Sequence, residues 1–271
     1  MIAKMAIDSA GIAIQRCAPF ICYKHVLIFA GLVGIVLTSI LLAGCSSYSS
    51  MTNIYILGLS YTNSTLSDLS PIEKNLSNVL NDLKGAAQLE VRTGYFGMCV
   101  RQHGILWFCS SNAHGLAQQI GPENDPLNLI ATASRFKDDV LFSGLFFMAI
   151  ILVLFSCLLV ATFPGWHSEH NESTGSDIDV APFPSRPVSQ IATSSAVVAA
   201  MLCLVASLWQ HVGSVGAAAM AETANYGNVK SDIGAGAVVL GWVGVVFMAI
   251  IAIGLAILVS SLLILDRLTD D

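Results

Sequence analysis

Four stretches of this chain are apolar from end to end, and polar or alternating segments separate them. Residues 26–45 and 140–166 carry no charge, residues 191–229 carry only Glu222, and residues 237–265 again carry none. About 20 mostly apolar residues cross a hydrocarbon core about 30 Å thick. A helix in a soluble core keeps a charged face, and these stretches have none. The pattern predicts four transmembrane helices, at 26–45, 140–163, 191–211 and 237–265. A cytoplasmic N-terminus at 1–25 and a cytoplasmic tail at 266–271 flank them. The first stretch ends in Leu41-Leu42-Ala43-Gly44-Cys45, which has the form of a bacterial lipoprotein cleavage site. Its long leader and the three spans that follow favour an uncleaved first helix.

Between the spans the periodicity changes. The loop at 46–139 holds Asn53–Tyr61, rich in strand formers, and then Leu66, Leu69, Ile72, Leu76, Leu80 and Leu83 at helical spacing, with Pro71 suited to a first turn. Residues 89–100 and 105–111 read as strands, and 125–139 as a helix that continues into the second span. The linker at 164–190 combines Pro164, Pro182, Pro184 and Pro187 with Glu169, Glu172, Asp177 and Asp179, and is expected to be flexible and acidic. The loop at 212–236 is rich in Gly, Ala and Ser, residues that permit close backbone contact.

Composition sharpens the class. Charged residues make up 11% of the 271, against about 25% in soluble domains. With 12 Lys+Arg against 18 Asp+Glu, a net charge of −6, there is no basic surface for nucleic acid. Arg16 and Lys24 precede the first span and no Lys or Arg follows it closely, which places both termini in the cytoplasm and the 46–139 loop outside. Asn63 and Asn75 open glycosylation sequons in that loop; a third, at Asn171, falls on the cytoplasmic side. No hydrolase triad, phosphate loop or dinucleotide fingerprint occurs, so the chain reads as non-enzymatic, with no catalytic residue, cofactor or metal. His167 and His170 read as solvated loop residues, and Asp125, Asp138 and Asp139 as turn or surface charges rather than calcium ligands. Cys17 and Cys22, just before the first span, are open to palmitoylation.

The informative stretch is Gly94-Tyr95-Phe96-Gly97-Met98-Cys99, with Cys109 beyond it. A hairpin centred on Gly104 sets Cys99 opposite Cys109, Val100 opposite Phe108 and Arg101 opposite Trp107. Directly opposed residues bring their β-carbons near disulfide distance, and an oxidising compartment favours the bond. Two free thiols in a strand pair are the alternative, which the symmetry of the spacing disfavours.

A glycine, two bulky apolar residues, a cysteine and a second cysteine beyond it resemble the outer-loop signature of the claudin-like superfamily. Within that superfamily, residues 91–100 are most similar to the fungal family of calcium regulators and membrane-fusion proteins. The resemblance implies a four-transmembrane-helix bundle with a disulfide-stapled extracellular antiparallel β-sheet. It implies action at the plasma membrane of mating cells, in low-affinity calcium influx and cell fusion. The motif carried over is Gly94, Tyr95, Phe96, Gly97, Cys99 and Cys109. Implied partners are membrane lipid, other membrane proteins of channel or fusion machinery, and further copies of the chain. Phe96 stands where claudins have Trp, so tight-junction strand assembly is not carried over. An eisosome-type organiser of membrane domains and a small claudin-like pore are the alternative readings. Spans without ionisable groups speak against a pore through the helices. Ala30, Gly34 and Thr38 on the first span, with Ala237 and Gly241 on the fourth, are expected to pack helices within one chain.

Overall fold

A computed structural model describes residues 23–46, 51–62, 70–163, 167–171, 176–180 and 185–269. Arg16, Cys17, Cys22 and Asn63 lie outside the described residues.

Four helices are long and apolar enough to cross a membrane. They are α1 (Tyr23–Ala43), α5 (Gly144–Ala161), α6 (Arg186–Ala224) and α7 (Ala235–Thr269). Between α1 and α5 come β1 (Leu57–Tyr61), α2 (Pro71–Lys84), β2 (Leu89–Thr93), β3 (Met98–Gln102), β4 (Leu106–Ser110), α3 (Ala113–Ile120) and α4 (Leu129–Arg135). Strands β5 (His167–Asn171) and β6 (Ser176–Val180) follow α5, and β7 (Val229–Ile233) lies between α6 and α7.

The chain divides into two compact units. One consists of the described residues of Met1–Val33, Ile151–Ala199 and Phe247–Asp271. Here Gly31 lets α1 approach the Cys157 sulfur of α5 and the Ile251 methyl of α7. Polar side chains tie the helices through carbonyls: Tyr23 Oη donates to Gly254 O at 2.9 Å, and Ser156 Oγ to Ala192 O at 2.9 Å. Lys24 Nζ donates to Phe163 O at 2.8 Å, placing a cation at the carbonyl end of α5. The expected flexible linker contains a hairpin, with β5 antiparallel to β6 and His167 opposite Val180. Backbone pairing there overrides a composition that favours disorder.

The second unit consists of Gly34–Ile150 and Ala200–Val246. Thr38 is fully buried where Gly244 leaves room for its methyl, and Gly241 faces Ser207 Oγ and Leu41. The small residues thus pack helices inside one chain. The sheet runs β4-β3-β2-β1-β7, every neighbour antiparallel. Its apolar face includes Leu57, Leu59, Leu89, Val91, Met98 and Val100, all buried, and α4 packs on β1, β2 and β3 with Leu129, Ile130 and Ala133.

Several boundaries differ from the periodicity. Residues 89–100 are two strands, because Gly94–Gly97 turns the chain back on itself; Gly94 N donates to Gly97 O at 2.9 Å. The 125–139 helix does not run into the second span. After α4, residues Phe136–Val140 form a π-helical turn, and Leu141 is extended before α5 starts. The third span continues past 211 to Ala224, because the Ala-rich run at 217–221 favours helix over loop. Tyr226 and Gly227 then take positive φ and end it, and β7 occupies what reads as an irregular loop. Similarly, α7 extends to Thr269 into the expected tail.

Candidate functional site

The site is built on the β2–β3 turn and the β3–β4 hairpin. Gly94 and Gly97 meet the chain leaving α1. A β-carbon on Gly94 would collide with Gly44 O, and one on Gly97 would lie 2.5 Å from Cys45 O and 3.3 Å from Ser110 O. All three atoms are backbone and cannot swing aside, so only glycine allows this approach.

The glycines hold Tyr95 and Phe96 against the helices. Tyr95 is buried, its ring edge-on to Phe146 at 5.8 Å and 81°. Its hydroxyl donates to Gln210 Oε1 of α6 at 3.0 Å. Burial pushes the Tyr95 phenol above its ordinary pKa, so it stays a neutral donor. Phe96 is more exposed and lies tilted on Phe147 at 5.8 Å.

Two residues past Gly97, Cys99 and Cys109 are joined by a disulfide, their Cα atoms 4.0 Å apart in directly opposed positions. His103 (φ +49°) and Gly104 (φ +72°) turn this hairpin. Cys99 is fully buried, so the bond lies within the sheet.

A polar stack that the sequence reading did not find lies on the same two hairpins. The Arg92 guanidinium is sandwiched between the Tyr55 and Trp107 rings, 4.5 Å from each centroid. Arg92 also bonds Glu90 at 2.9 Å and Thr52 O at 3.0 Å. Arg101 also lies over Trp107, at 4.8 Å, and pairs with Glu90. Each cation–π contact contributes about 0.5–1 kcal/mol at such half-exposed sites. The Arg101–Trp107 opposition was already in the hairpin register. Glu90 and Arg92 join it only once residues 94–97 turn, because β2 then lies beside β3 with Glu90 opposite Arg101 and Arg92 opposite Cys99.

The remaining candidates go elsewhere. Asn75 is exposed on α2. The Asp125 carboxylate is buried and satisfied by Leu129 N (2.7 Å), Ile130 N (3.0 Å) and the Tyr61 hydroxyl (2.8 Å), so it caps α4. Asp138 bonds Ser134 and Lys137. Among the described residues, no three His, Cys, Asp or Glu side chains are grouped to hold a metal.

A membrane protein with four apolar helices and a disulfide-stapled antiparallel sheet, seated on helix residues through an aromatic turn, is the class these features define. Residues 75–261 match the family described as Ca2+ regulator and membrane fusion protein Fig1, and the chain belongs to that family. The match begins within α2 and takes in β2, β3, β4, β7, α5, α6 and α7 as far as Ser261. No curated protein matches the chain.

Proposed function

We propose that this protein is a plasma-membrane regulator of low-affinity calcium influx and of fusion between mating cells, working without catalysis through its sheet and its membrane partners. In this reading both termini are cytoplasmic, and the sheet, with glycans on Asn63 and Asn75, is outside the cell. Family membership supports the calcium and fusion roles. The observation that carries an auxiliary role is the seating of the sheet. Tyr95 links the β2–β3 turn to Gln210 of α6 and Phe146 of α5, so a partner that deforms the sheet also loads the helices. Stretches without Asp, Glu, Lys or Arg at 26–45, 140–163, 191–211 and 237–265 fit control of another channel better than a polar path between these helices.

The test removes the staple. Cys99→Ser with Cys109→Ser leaves all four apolar helices unchanged, and their hydrophobicity drives insertion. At matched surface level, calcium uptake and fusion counts are expected to fall several-fold. His167→Ala with His170→Ala is expected to change neither. Normal uptake and fusion in the cysteine variant would show that the sheet is not the functional element.

A further inference from the structure

Helix α2 is amphipathic in the reverse of the usual sense. Its two buried side chains, Ser77 and Lys84, are polar, while Lys74, Asn75, Asn78, Asn81 and Asp82 are exposed alongside the aliphatic residues. Ser77 is buried and donates to Tyr226 O at 3.0 Å, while Asn228 Nδ2 donates to Ser77 O at 3.0 Å. Lys84 is buried, with Nζ donating to Thr62 O at 2.7 Å. These bonds fix how the helix is rotated. Its aliphatic stripe therefore points outward: Ile72 is 80% exposed, Leu76 42%, Val79 61% and Leu83 59%. Helices in soluble contexts bury such a stripe. The helix is also preformed. Ser70 and Glu73 close a capping box around Pro71, and Gly85 ends the last turn at φ +56°.

Two further observations select what covers the stripe. The first is position. The Trp209 indole donates to Val140 O at 2.8 Å, just past Lys137, Asp138 and Asp139, which marks the membrane interface on the sheet side. From Trp209, α6 continues to Ala224, about 22 Å of helix at 1.5 Å per residue. Tyr226 and Asn228, which hold α2, lie beyond that end. The stripe is thus carried away from the protein's own bilayer. The second is area. Four aliphatic side chains offer about 400 Å² at roughly 100 Å² each. A symmetric pair of such helices buries about 800 Å² in total, short of the roughly 1,200 Å² of a stable protein interface. An interfacial helix, by contrast, needs only an aliphatic face and a polar back.

We infer that the Ile72–Leu76–Val79–Leu83 face of α2 docks on the phospholipid surface of an apposed membrane. This rests on the fusion half of the function proposed above. Glu73 and Asp82 balance Lys74 and Lys84 on the helix, so the contact is apolar and independent of salt.

The test uses the full chain in phosphatidylcholine nanodiscs, freed of glycan because Asn75 borders the stripe. It is mixed with protein-free vesicles of phosphatidylcholine and phosphatidylethanolamine and separated by flotation. The intact protein is expected to float with the vesicles at low and high salt alike. Ile72→Asn with Val79→Asn is expected to lower the floated fraction about tenfold, and Lys74→Gln to leave it unchanged. A polarity-sensitive fluorophore on Val79→Cys reads the stripe in a chain otherwise intact; it is expected to shift to the blue with vesicles and to be quenched by a lipid-borne quencher. The proposal is overturned if the fluorophore does not respond, if both proteins float equally, or if stripe residues cross-link between copies without vesicles. Flotation involves neither calcium nor a channel, so its failure overturns the lipid seat alone and leaves the proposed function to its own test.

Discussion

Tyr95 shows how much one side chain decides here. Its ring fills space against Phe146 and its hydroxyl satisfies the buried Gln210. Tyr95→Phe keeps the ring and orphans Gln210 Oε1, a loss of about 1–2 kcal/mol. In a thermal melt of the purified protein this is expected to lower Tm by about 2–4 °C per kcal/mol lost; an unchanged Tm would mean that the bond adds nothing. Tyr55 makes a prediction about pH. Burial, with the hydrogen bond its hydroxyl donates to Asp232, pushes its phenol up to about 12 from an ordinary 10.0. A pKa raised by folding contributes stability that is full below the unfolded value and is lost as pH rises through the folded one. Tyr55 therefore stabilises the fold below pH 10.0, and that contribution is lost between 10.0 and about 12. Tyrosinate absorbance should show several late-ionising tyrosines, Tyr61 and Tyr95 among them, and the one that ionises near pH 12 should disappear in Tyr55→Phe. Neither role is visible along the chain, since residue 95 is far in sequence from 210, as 55 is from 232.

At the scale of elements, α4 depends on a cap supplied from outside its own first turn. Asn128 precedes the helix in a left-handed conformation and makes no side-chain cap bond. Asp125 supplies the cap, with both carboxylate oxygens on the amides of Leu129 and Ile130. Asp125→Ala removes the cap and leaves the Tyr61 hydroxyl without its acceptor, a loss of about 2–3 kcal/mol. Hydrogen exchange is expected to speed up in α4 and in the β1–β3 face beneath it, while the stapled β3–β4 hairpin stays protected; uniform exchange rates would refute the capping role. Local pattern read Asp125 as a turn or surface charge and missed its task, because the carboxylate's partners depend on where Tyr61 and α4 come to rest. The β3–β4 hairpin is the opposite case. Its register follows from Cys99, Gly104 and Cys109 alone, and the pairing of Cys99 with Cys109, Val100 with Phe108 and Arg101 with Trp107 is the one the spacing implies.

For the whole molecule, the prediction concerns sidedness. If all four apolar helices span, both ends of the chain are expected on one side, and Lys24 at the start of the first argues for the cytoplasm. A protease added to intact cells should leave an N-terminal tag uncut. Endoglycosidase should raise gel mobility, and Asn63→Gln with Asn75→Gln should abolish that shift. Cleavage of the tag from outside would invert the topology and take the sheet away from any extracellular partner.

The sequence alone determined the four apolar helices, the helical stretch at α2 and the stapled hairpin. Each depends on residues close along the chain: an uncharged run long enough to satisfy its own backbone in hydrocarbon, a 3.6-residue period, a two-strand closure around a glycine. The tertiary structure decided everything that joins distant segments. Val229–Ile233 lacks a strong strand signature, yet it pairs along β1 with Leu59 opposite Ser231, because the ends of α6 and α7 deliver it to that edge. The run at 89–100 reads as one strand until Gly94 and Gly97 pack against the carbonyls of Gly44 and Cys45 and fold it in two. The period of α2 showed that it would be a helix, but the bonds that join Ser77 to Tyr226 and Asn228 of the far turn decided which way its aliphatic face points. Periodicity records which residues share a face; only the contacts made by the opposite face say where that face is directed.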